Sequence, residues 1–474
     1  MKRNALQLLF LLATPFLLFT NCNEAPTETN SDTASGPPNI IVLLADDLGY
    51  GDLSAYGSQS IHTPNIDALA AAGMKFTRFY AGSAVCSPSR ASLLTGKFPL
   101  RFDIRQHFDD REMHLPAGTL TFPRVLQQNG YRTAHIGKWH LGGIRIQDFT
   151  ARTAGEAANP GPLQHGFDHY LCNIEDPLVR PELIRERKLY REGGKTLVRN
   201  DRRIDEIPKH WTEIKVDEAI NVIEESRKAD QPFFVNLWFD VPHTPYEPAP
   251  ERHLSVYEKM GVKGDQLWFR SMVSHLDEQI GRLIDHLETS GLLENTIIVF
   301  TSDNGPAYQG SPGPFKGGKT DLHEGGIRVP MIAVWPNRIP ANTYSFQTAH
   351  MTDLFPTLSA LAGIEVEASD LDGMDLSQHL LEQTPLERGV LLWQMDLYKH
   401  FQNQGPKPTP YATTVAMNEN WKLLADSLQT TELFDLEADH RELYNQLGQQ
   451  DSIEQLLHTE MRSFLAAPRK SWKK

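Results

Sequence analysis

The sequence predicts an α/β fold in which a large, mostly parallel central sheet is flanked by helices and followed by a smaller C-terminal α+β subdomain. Several apolar runs are rich in β-branched residues and continuous rather than alternating, which is typical of strands buried on both faces. Helix-like segments separate these runs, and such alternation favours a parallel sheet. After a helix that ends near Gly363, the chain changes to short strand-like runs and one final helix.

The predicted elements follow one another in a regular order. The run 39–44 predicts the first strand, and Thr63-Pro64 supplies the N-cap and first-turn proline of a helix that Gly73 ends. The remaining predicted elements are helices over 121–129, 272–287 and 451–465 and strands over 131–136, 233–239, 296–301, 415–426 and 432–435.

The N-terminal residues have the pattern of an export signal. A positive start over 1–3 precedes an apolar run over 6–19, and Cys22 follows it, which resembles the lipidated cysteine of bacterial lipoproteins although Asn21 is not the usual small residue. We expect an exported protein, periplasmic or at the cell surface, whose only membrane attachment is a lipid at Cys22; plain secretion with cleavage nearby is the alternative. The predicted organisation is a signal peptide over 1–22, a polar tether over 23–37, a catalytic domain over 38–365 and a C-terminal subdomain over 366–474.

The overall charge disfavours nucleic acid as a partner. The formal net charge is −14, and a field of that sign repels phosphates. An anionic substrate would therefore need specific local cations.

Two polar clusters follow predicted buried strands. Asp46-Asp47 comes after the first strand, and Asp303-Asn304 comes after the strand over 296–301. In open α/β sheets, sites form beyond the carboxyl ends of the strands, so these oxygen ligands could meet. They suit a hard cation, calcium rather than zinc. The alternative is that both clusters are ordinary Asp/Asn/Gly turns.

Cys86 is placed by the sequence at the start of a helix, since Pro88 suits a first turn and Gly96 a helix end. Backbone amides at that position would activate a thiolate. The alternatives are a small apolar cysteine beside a helix start and a bridge to Cys172. Cys22, the third cysteine, is expected to carry the lipid.

The sequence Cys-Ser-Pro-Ser-Arg from Cys86 to Arg90, followed by Leu-Leu-Thr-Gly, resembles the signature of formylglycine-dependent (type I) sulfatases, members of the alkaline-phosphatase-like superfamily. The resemblance is dense over 46–99. It returns in the expected order at 137–142, 242–245, 302–305, 319–326 and 432–436. It implies an alkaline-phosphatase-like fold and hydrolysis of sulfate esters.

The resemblance also implies the cofactors. A maturation enzyme would oxidise Cys86 to formylglycine, an aldehyde whose hydrate carries two hydroxyls. One hydroxyl would attack sulfur, and the other would help expel sulfate by re-forming the aldehyde. Ca²⁺ would be bound by Asp46, Asp47, Asp303 and Asn304 together with the modified Cys86.

Five further roles follow from the same resemblance. Arg90 would hold the nucleophile and the metal ligands in place. Lys138 and Lys319 would bind sulfate oxygens. His140 would take the proton from the hydrate as sulfate is expelled, and His243 would protonate the leaving alcohol oxygen.

Each role has a simpler alternative. Without the resemblance, His140 would be interpreted as structural and His243 as a residue of a rigid surface loop. Lys316 competes with Lys319, but only Lys319 has the family's spacing to Glu324, which leaves Lys316 as a possible substrate contact.

Five other positions are interpreted as substrate contacts or as ordinary structure. Thr320 and His323 depart from the family's usual glycine and tyrosine, and we expect them to touch substrate or to pack the loop. Arg101, Arg105 and His107 follow the signature and could bind a sulfated sugar or be ordinary surface charges.

The prediction is therefore a sulfatase that acts on sulfated small molecules or glycans, most plausibly polysaccharides. One rival is a phosphoester or phosphonate hydrolase of the same superfamily, since phosphate and sulfate are both tetrahedral oxyanions. The other rival is a catalytically inactive surface lipoprotein that binds sulfated glycans.

Overall fold

Two sheets carry the fold: a central sheet of eleven strands and a four-stranded antiparallel sheet near the C-terminus. This computed structural model describes residues 36–108, 113–174, 197–204, 209–246, 248–396 and 412–469. The predicted signal peptide and the Cys22 anchor lie outside the described residues, and the boundary near 365 stays a prediction. In the part of the chain that is described, no helix combines the length and the apolar character that crossing a membrane requires.

The strands of the described residues are β1 (Asn39–Ala45), β2 (Met74–Tyr80), β3 (Arg132–Gly137), β4 (His169–Asn173), β5 (Leu197–Arg199), β6 (Arg202–Ile204), β7 (Phe233–Trp238), β8 (Thr296–Ser302), β9 (Arg328–Val334), β10 (Thr343–Ser345), β11 (Ala349–His350), β12 (Leu391–Gln394), β13 (Thr414–Met417), β14 (Trp421–Asp426) and β15 (Gln429–Asp435). The α-helices of the same residues are α1 (Pro64–Ala71), α2 (Cys86–Thr95), α3 (Phe122–Gln128), α4 (Ile146–Thr153), α5 (Trp211–Lys228), α6 (Glu251–Lys259), α7 (Gly264–Thr289), α8 (Glu324–Ile327), α9 (Leu354–Leu361), α10 (Ser377–Glu382) and α11 (Asp451–Ala466).

The centre of the large sheet is parallel, as predicted. Its strand order is β10-β2-β9-β8-β1-β7-β3-β4-β5-β6, with β11 also paired to β2. The neighbours β8, β1, β7, β3 and β4 all run in one direction. The sequence did not predict β9, which runs antiparallel between β2 and β8. The α/β class with its separate C-terminal sheet is confirmed.

Strand β1 shows why the predicted strands are continuous apolar runs. All seven of its residues are buried, and alternate side chains enter different cores. Ile41 belongs to the same core as Leu276 of α7, whereas Val42 belongs to the same core as Leu94 of α2. Helices therefore cover both faces of the sheet.

The C-terminal sheet differs from the prediction at one point. A single strand over 415–426 was expected, but this run forms the two antiparallel strands β13 and β14. The side chain of Asn418 makes the turn between them, because its oxygen accepts hydrogen bonds from the backbone N–H groups of Asn420 (3.1 Å) and Trp421 (2.7 Å). The sequence therefore folds back where an uninterrupted strand was predicted.

A buried ion network joins this small sheet to the large one. Lys422 of β14 is fully buried and bonds Glu324 of α8 at 3.0 Å and Glu442 at 2.9 Å. The other oxygen of Glu324 accepts from the Tyr80 hydroxyl at 2.9 Å and lies 3.2 Å from Arg328. Because α8 directly follows the segment that contains Lys319, the C-terminal sheet supports the loop predicted to bind substrate.

We expect Lys422→Met to lower the free energy of unfolding by about 3–5 kcal/mol, because buried Glu442 loses Lys422 and buried Glu324 keeps only Arg328 as a cation. The matched control is Lys209→Met, since Lys209 is 52% exposed and pairs with Asp217 at 2.8 Å on the surface. That change should cost less than about 1 kcal/mol. Urea unfolding of both variants measures the difference, and equal losses would contradict the network.

Candidate active site

The two predicted acidic clusters meet at the carboxyl ends of adjacent parallel strands. Ala45 of β1 lies opposite Ser302 of β8, so the residues that follow each strand are neighbours. The backbone N–H of Asp47 donates to Asp303 Oδ1 at 3.1 Å. Asp47 has a left-handed backbone (φ 64°), which turns the chain sharply after the strand. The register of one strand pair thus builds half of the site.

Cys86 lies against this cluster at the first residue of α2. Its Sγ is 3.7 Å from Asp46 Oδ1, 3.6 Å from Lys138 Nζ and 3.4 Å from Lys319 Nζ. The helix ends at Gly96, whose left-handed conformation (φ 63°) forms the predicted C-cap. Three distant parts of the sequence therefore converge on one sulfur atom.

Arg90 is fully buried beneath the cluster. Its Nε and Nη2 donate to Asp303 Oδ2 at 3.0 and 2.7 Å, and Nη2 lies 3.4 Å from Asp46. Nη1 donates to the backbone carbonyl of Lys138 at 2.9 Å, and the guanidinium stacks 5.0 Å from the Trp238 ring. Arg90 therefore joins β1, β8 and the segment after β3, as its predicted positioning role requires.

The two predicted substrate lysines both enter the cluster. Lys138 Nζ lies 2.7 Å from Asp46 Oδ2, and Lys319 Nζ lies 2.7 Å from both oxygens of Asp47. Each side chain is about 15% exposed, which leaves the ammonium groups reachable from one side. With Arg90, these lysines match the three carboxylates in number, so the cluster is close to neutral before any ligand binds.

The carboxylates are not equivalent. Burial opposes ionisation of Asp46 and Asp47, but the nearby cations, Lys138 for Asp46 and Lys319 for Asp47, hold both pKa values below their usual range. Burial raises the pKa of Asp303 to about 6 against the effect of Arg90, and the negative charges of Asp46 and Asp47 act in the same direction as burial. The cluster therefore favours additional positive charge.

Cys86 as a thiol is not the activated nucleophile that a helix N-terminus predicts. Burial raises its pKa to about 12, although Lys138 and Lys319 act in the opposite direction. The expectation of an activated thiolate is wrong for the unmodified cysteine, because burial outweighs both lysines in setting the pKa of its thiol. Neither Cys86 nor Cys172 is in a disulfide, which removes the alternative bridge.

The cluster has the donors that a calcium ion requires. Asp46, Asp47, Cys86 and Asp303 each offer a ligand atom, and these atoms lie within 4.8 Å of one another. Asn304 is fully buried, and its Nδ2 donates to Asp47 Oδ1 at 2.8 Å, while its Oδ1 has no hydrogen-bond partner. A buried amide oxygen in that position beside three carboxylates fits a hard cation.

The two predicted catalytic histidines lie at the edge of the cluster. His243 Nδ1 bonds the Thr244 carbonyl and must carry a hydrogen, so its Nε2, 3.6 Å from Asp47 Oδ2, is the nitrogen that can exchange a proton. Burial lowers the pKa of His243 to about 4, against the effect of Asp47. Burial and the adjacent Lys138 hold the pKa of His140 well below its usual range, and its ring lies 6.2 Å from that of His107.

Other candidate substrate residues are engaged elsewhere. Lys316 bonds Glu432 at 3.0 Å, and Arg101 bonds Asp372 at 2.8 Å. Arg105 forms ion pairs at 3.1 and 2.7 Å with two aspartates. The structure thus places these three cations in ion pairs on the protein, which favours the interpretation as structural charges.

His323 helps to hold the loop that carries Lys319. Its Nδ1 bonds Asp321 at 2.6 Å and its Nε2 bonds Glu432 of β15 at 2.8 Å. It therefore packs the loop, which is one of the two roles expected for it from the sequence. Glu432 lies more than a hundred residues away in the chain. Nothing local in the sequence relates the two, because charged residues on short strands are usually solvent-facing.

Comparison with known proteins gives the same picture over most of the chain. The Sulfatase family model matches residues 38–364, and the model described as N-sulphoglucosamine sulphohydrolase, C-terminal, matches residues 318–470. N-acetylgalactosamine-6-sulfatase of Canis lupus familiaris is 34% identical over 393 residues, which cover 77% of this chain and 70% of that protein.

Two solved structures share the fold over nearly the whole length. The crystal structure of Ps i-CgsB in complex with k-i-k-neocarrahexaose has a TM-score of 0.77 and 27% identity, and the match covers 92% of this chain and 94% of that one. The structure of BT4656 in complex with its substrate D-glucosamine-2-N,6-O-disulfate has a TM-score of 0.67 and 25% identity, with coverages of 90% and 98%.

We expect His323→Gln to destabilise the protein more at pH 6 than at pH 9.5. Burial alone would lower the pKa of His323, but Asp321 and Glu432 raise it to about 9, above the unfolded value of about 6.5. The ionic contribution is therefore complete below about pH 6.5 and is lost as the pH rises through 9, with a span of about 3 kcal/mol. Urea unfolding at both pH values measures it, with exposed His440→Gln as control. A pH-independent loss would contradict the charged state of His323.

We expect Asn304→Ala to weaken Ca²⁺ binding at least about tenfold, because the ion loses an oxygen ligand. Isothermal titration with Ca²⁺ into chelator-treated protein measures the affinity. Asn295→Ala is the matched control, since Asn295 lies just before β8 and bonds only the Pro37 carbonyl through its side chain (3.2 Å) among the contacts described. Equal affinity in the two variants would exclude Asn304 as a ligand.

Proposed function

The chain belongs to the sulfatase family and is a sulfuric ester hydrolase, and from this premise we propose that it removes sulfate from sulfated carbohydrates with a formylglycine formed from Cys86. The observation that carries the proposal is the position of Cys86. Its sulfur lies within 3.7 Å of Asp46 and of both candidate substrate lysines. A nucleophile at that atom would have its sulfate held by cations on two sides.

The charge of the cluster supports an anionic substrate. Three buried carboxylates are matched in number by Arg90, Lys138 and Lys319. A bound Ca²⁺ would leave two unbalanced positive charges, of which the singly charged sulfate ester neutralises one and the sulfate dianion released from it neutralises both. The acidic chain as a whole would repel such an anion, so this local excess is what makes binding possible.

Formylglycine at position 86 would supply a geminal diol as nucleophile, and calcium would lower the pKa of that diol and polarise the sulfate. The raised pKa of the Cys86 thiol supports this modification, because an unmodified thiol of pKa about 12 is a poor nucleophile at neutral pH. The ligands of the ion would be Asp46, Asp47, Asp303 and Asn304.

The surrounding cations would bind and orient the substrate. Lys138 and Lys319 reach the sulfur of Cys86 at 3.6 and 3.4 Å, so each is positioned to bond a different oxygen of a sulfate at that point. Arg90 holds Asp303 through two hydrogen bonds and has no exposed surface. We assign it a positioning role.

The histidines would move the protons. His243 Nε2 would donate to the ester oxygen as the C–O–S bond breaks at sulfur, so that the sugar leaves as a neutral alcohol. A bound sulfate adds negative charge beside this ring and would raise its pKa from about 4 toward the working range. His140 would accept the proton released when sulfate departs, and its depressed pKa keeps it in the neutral, accepting form.

Carbohydrate as the substrate class is supported by the solved relatives. The structure of Ps i-CgsB contains k-i-k-neocarrahexaose, and that of BT4656 contains a disulfated glucosamine. The N-terminal pattern that ends at Cys22 supports the further proposal of an exported lipoprotein, so that the enzyme would meet polysaccharide outside the cytoplasm.

Mass spectrometry of the Cys86 peptide from native-host protein tests the nucleophile, and we expect formylglycine. Cys86→Ala should lower turnover of an aryl sulfate at least about 1,000-fold, as removal of a nucleophile does. Cys172→Ala is the matched control, because Cys172 is also buried and outside any disulfide, and it should leave turnover unchanged.

The substrate is tested separately with the same preparation. We expect an aryl sulfate to turn over faster than the matching aryl phosphate, and sulfated oligosaccharides to release sulfate. Faster cleavage of phosphate, or an unmodified and dispensable Cys86, would overturn the proposal. Tight binding of sulfated glycan without turnover would support the inactive lipoprotein instead.

A further inference from the structure

A second group of side chains of metal-binding type lies among three helices on one face of the large sheet. His253 is in the first turn of α6, and His275 and Glu278 lie one turn apart on α7. Glu278 Oε2 is 2.9 Å from His253 Nε2 and 3.3 Å from His275 Nδ1. One ligand atom from each residue lies within 4.8 Å of the others. None of the three belongs to the candidate active site.

We propose that this group is a second metal site, for a divalent transition ion such as Zn²⁺. Zinc bonds of about 2.0–2.1 Å in a tetrahedron place neighbouring ligand atoms about 3.3 Å apart. The two nitrogen–oxygen distances, 2.9 and 3.3 Å, are close to that edge. Two imidazoles and one carboxylate are a ligand set that zinc uses with water as the fourth ligand.

The residues around the group are arranged to orient its ligands. Glu213 Oε1 of α5 lies 3.5 Å from His275 Nε2, the ring nitrogen opposite the coordinating one. This separation is longer than a hydrogen bond, and His275 Nε2 has no hydrogen-bond partner. A closer approach of Glu213 on metal binding would fix the tautomer that exposes the Nδ1 lone pair to the ion. Arg252 bonds both oxygens of Glu278, Oε1 from Nε at 2.9 Å and Oε2 from Nη2, so an ion at Oε2 would replace the Nη2 bond while the Nε bond holds the carboxylate.

His275 is the innermost member of the group. It is fully buried, and its ring lies 5.3 Å from that of His253 and 4.5 Å from that of His210.

The chemistry of the ligands separates the two sites. The active-site cluster offers carboxylate and amide oxygens, which suit calcium, whereas imidazole nitrogen favours zinc, copper or nickel. Among the described residues, these are the two groups in which three or more side chains of metal-binding type lie close to one another. The same protein could therefore hold two different ions without competition.

An ion in this position would join α6 to α7. Helix α6 begins at Glu251, and the segment that precedes it carries His243. A metal bond to His253 would fix the start of α6, and with it the end of the segment that holds the proposed general acid. We expect its main effect to be on stability, with a smaller effect on turnover.

The test is a titration of chelator-treated full-length protein with Zn²⁺ in excess Ca²⁺, which keeps the oxygen site filled with its own ion. We expect one equivalent of Zn²⁺ to bind and to raise the melting temperature. Co²⁺ in place of Zn²⁺ should give the intense visible bands of a tetrahedral site, which an all-oxygen octahedral site does not give.

His253→Gln and Glu278→Gln should each weaken Zn²⁺ binding at least tenfold and abolish the Co²⁺ bands. His286→Gln is the matched control. His286 is on the same helix and also pairs with a glutamate (Glu224, 3.2 Å), but neither residue belongs to the proposed metal site. It should bind Zn²⁺ as the native protein does. If the native protein binds no Zn²⁺ beyond the calcium site, or if all three variants bind alike, the group is only a hydrogen-bond network and the proposal fails.

Discussion

The balance of buried charge at the ends of β1 and β8 is the constraint on which the rest of the structure depends. Three carboxylates are removed from water there, and each would be costly to ionise alone. Arg90 makes the arrangement possible, because it is fully buried and bonds Asp303 while lying 3.4 Å from Asp46. Two lysines from distant loops complete the balance and remain close to the surface. The site is thus built to accept one dication together with an anionic sulfate ester.

The residues that support the site also form buried ionic contacts. The loop that carries Lys319 leads into α8, whose Glu324 is fully buried against Lys422 of the small sheet. His323, one residue earlier, is held between Asp321 and Glu432. These contacts are charged, and those of Glu324 with Lys422 and of His323 with Glu432 are buried, so they fix the loop more strictly than apolar packing would. The C-terminal sheet is therefore part of the machinery that places Lys319.

The sequence was informative where a residue's role depends on its own neighbours in the chain. Continuous apolar runs predicted β1, β7 and β8, and the strand-end position of Asp46 and Asp303 predicted that they meet. It failed where a role depends on long-range contact or desolvation. Glu432 and Lys422 carry no local signal of burial, and the pKa of Cys86 rises because the folded site excludes water. The break at Asn418 was missed because a side-chain turn needs only one residue.

The fully buried pairing of Lys422 with Glu324 also limits how such chains can diversify. A C-terminal sheet taken from another relative would have to bring its own cation at the Lys422 position, or Glu324 would stay buried with one of its two cations missing. Exchange of this sheet alone between related proteins is consequently disfavoured. Inheritance of both sheets as one block, with new specificity arising in the surface loops between them, is the course that the pairing permits.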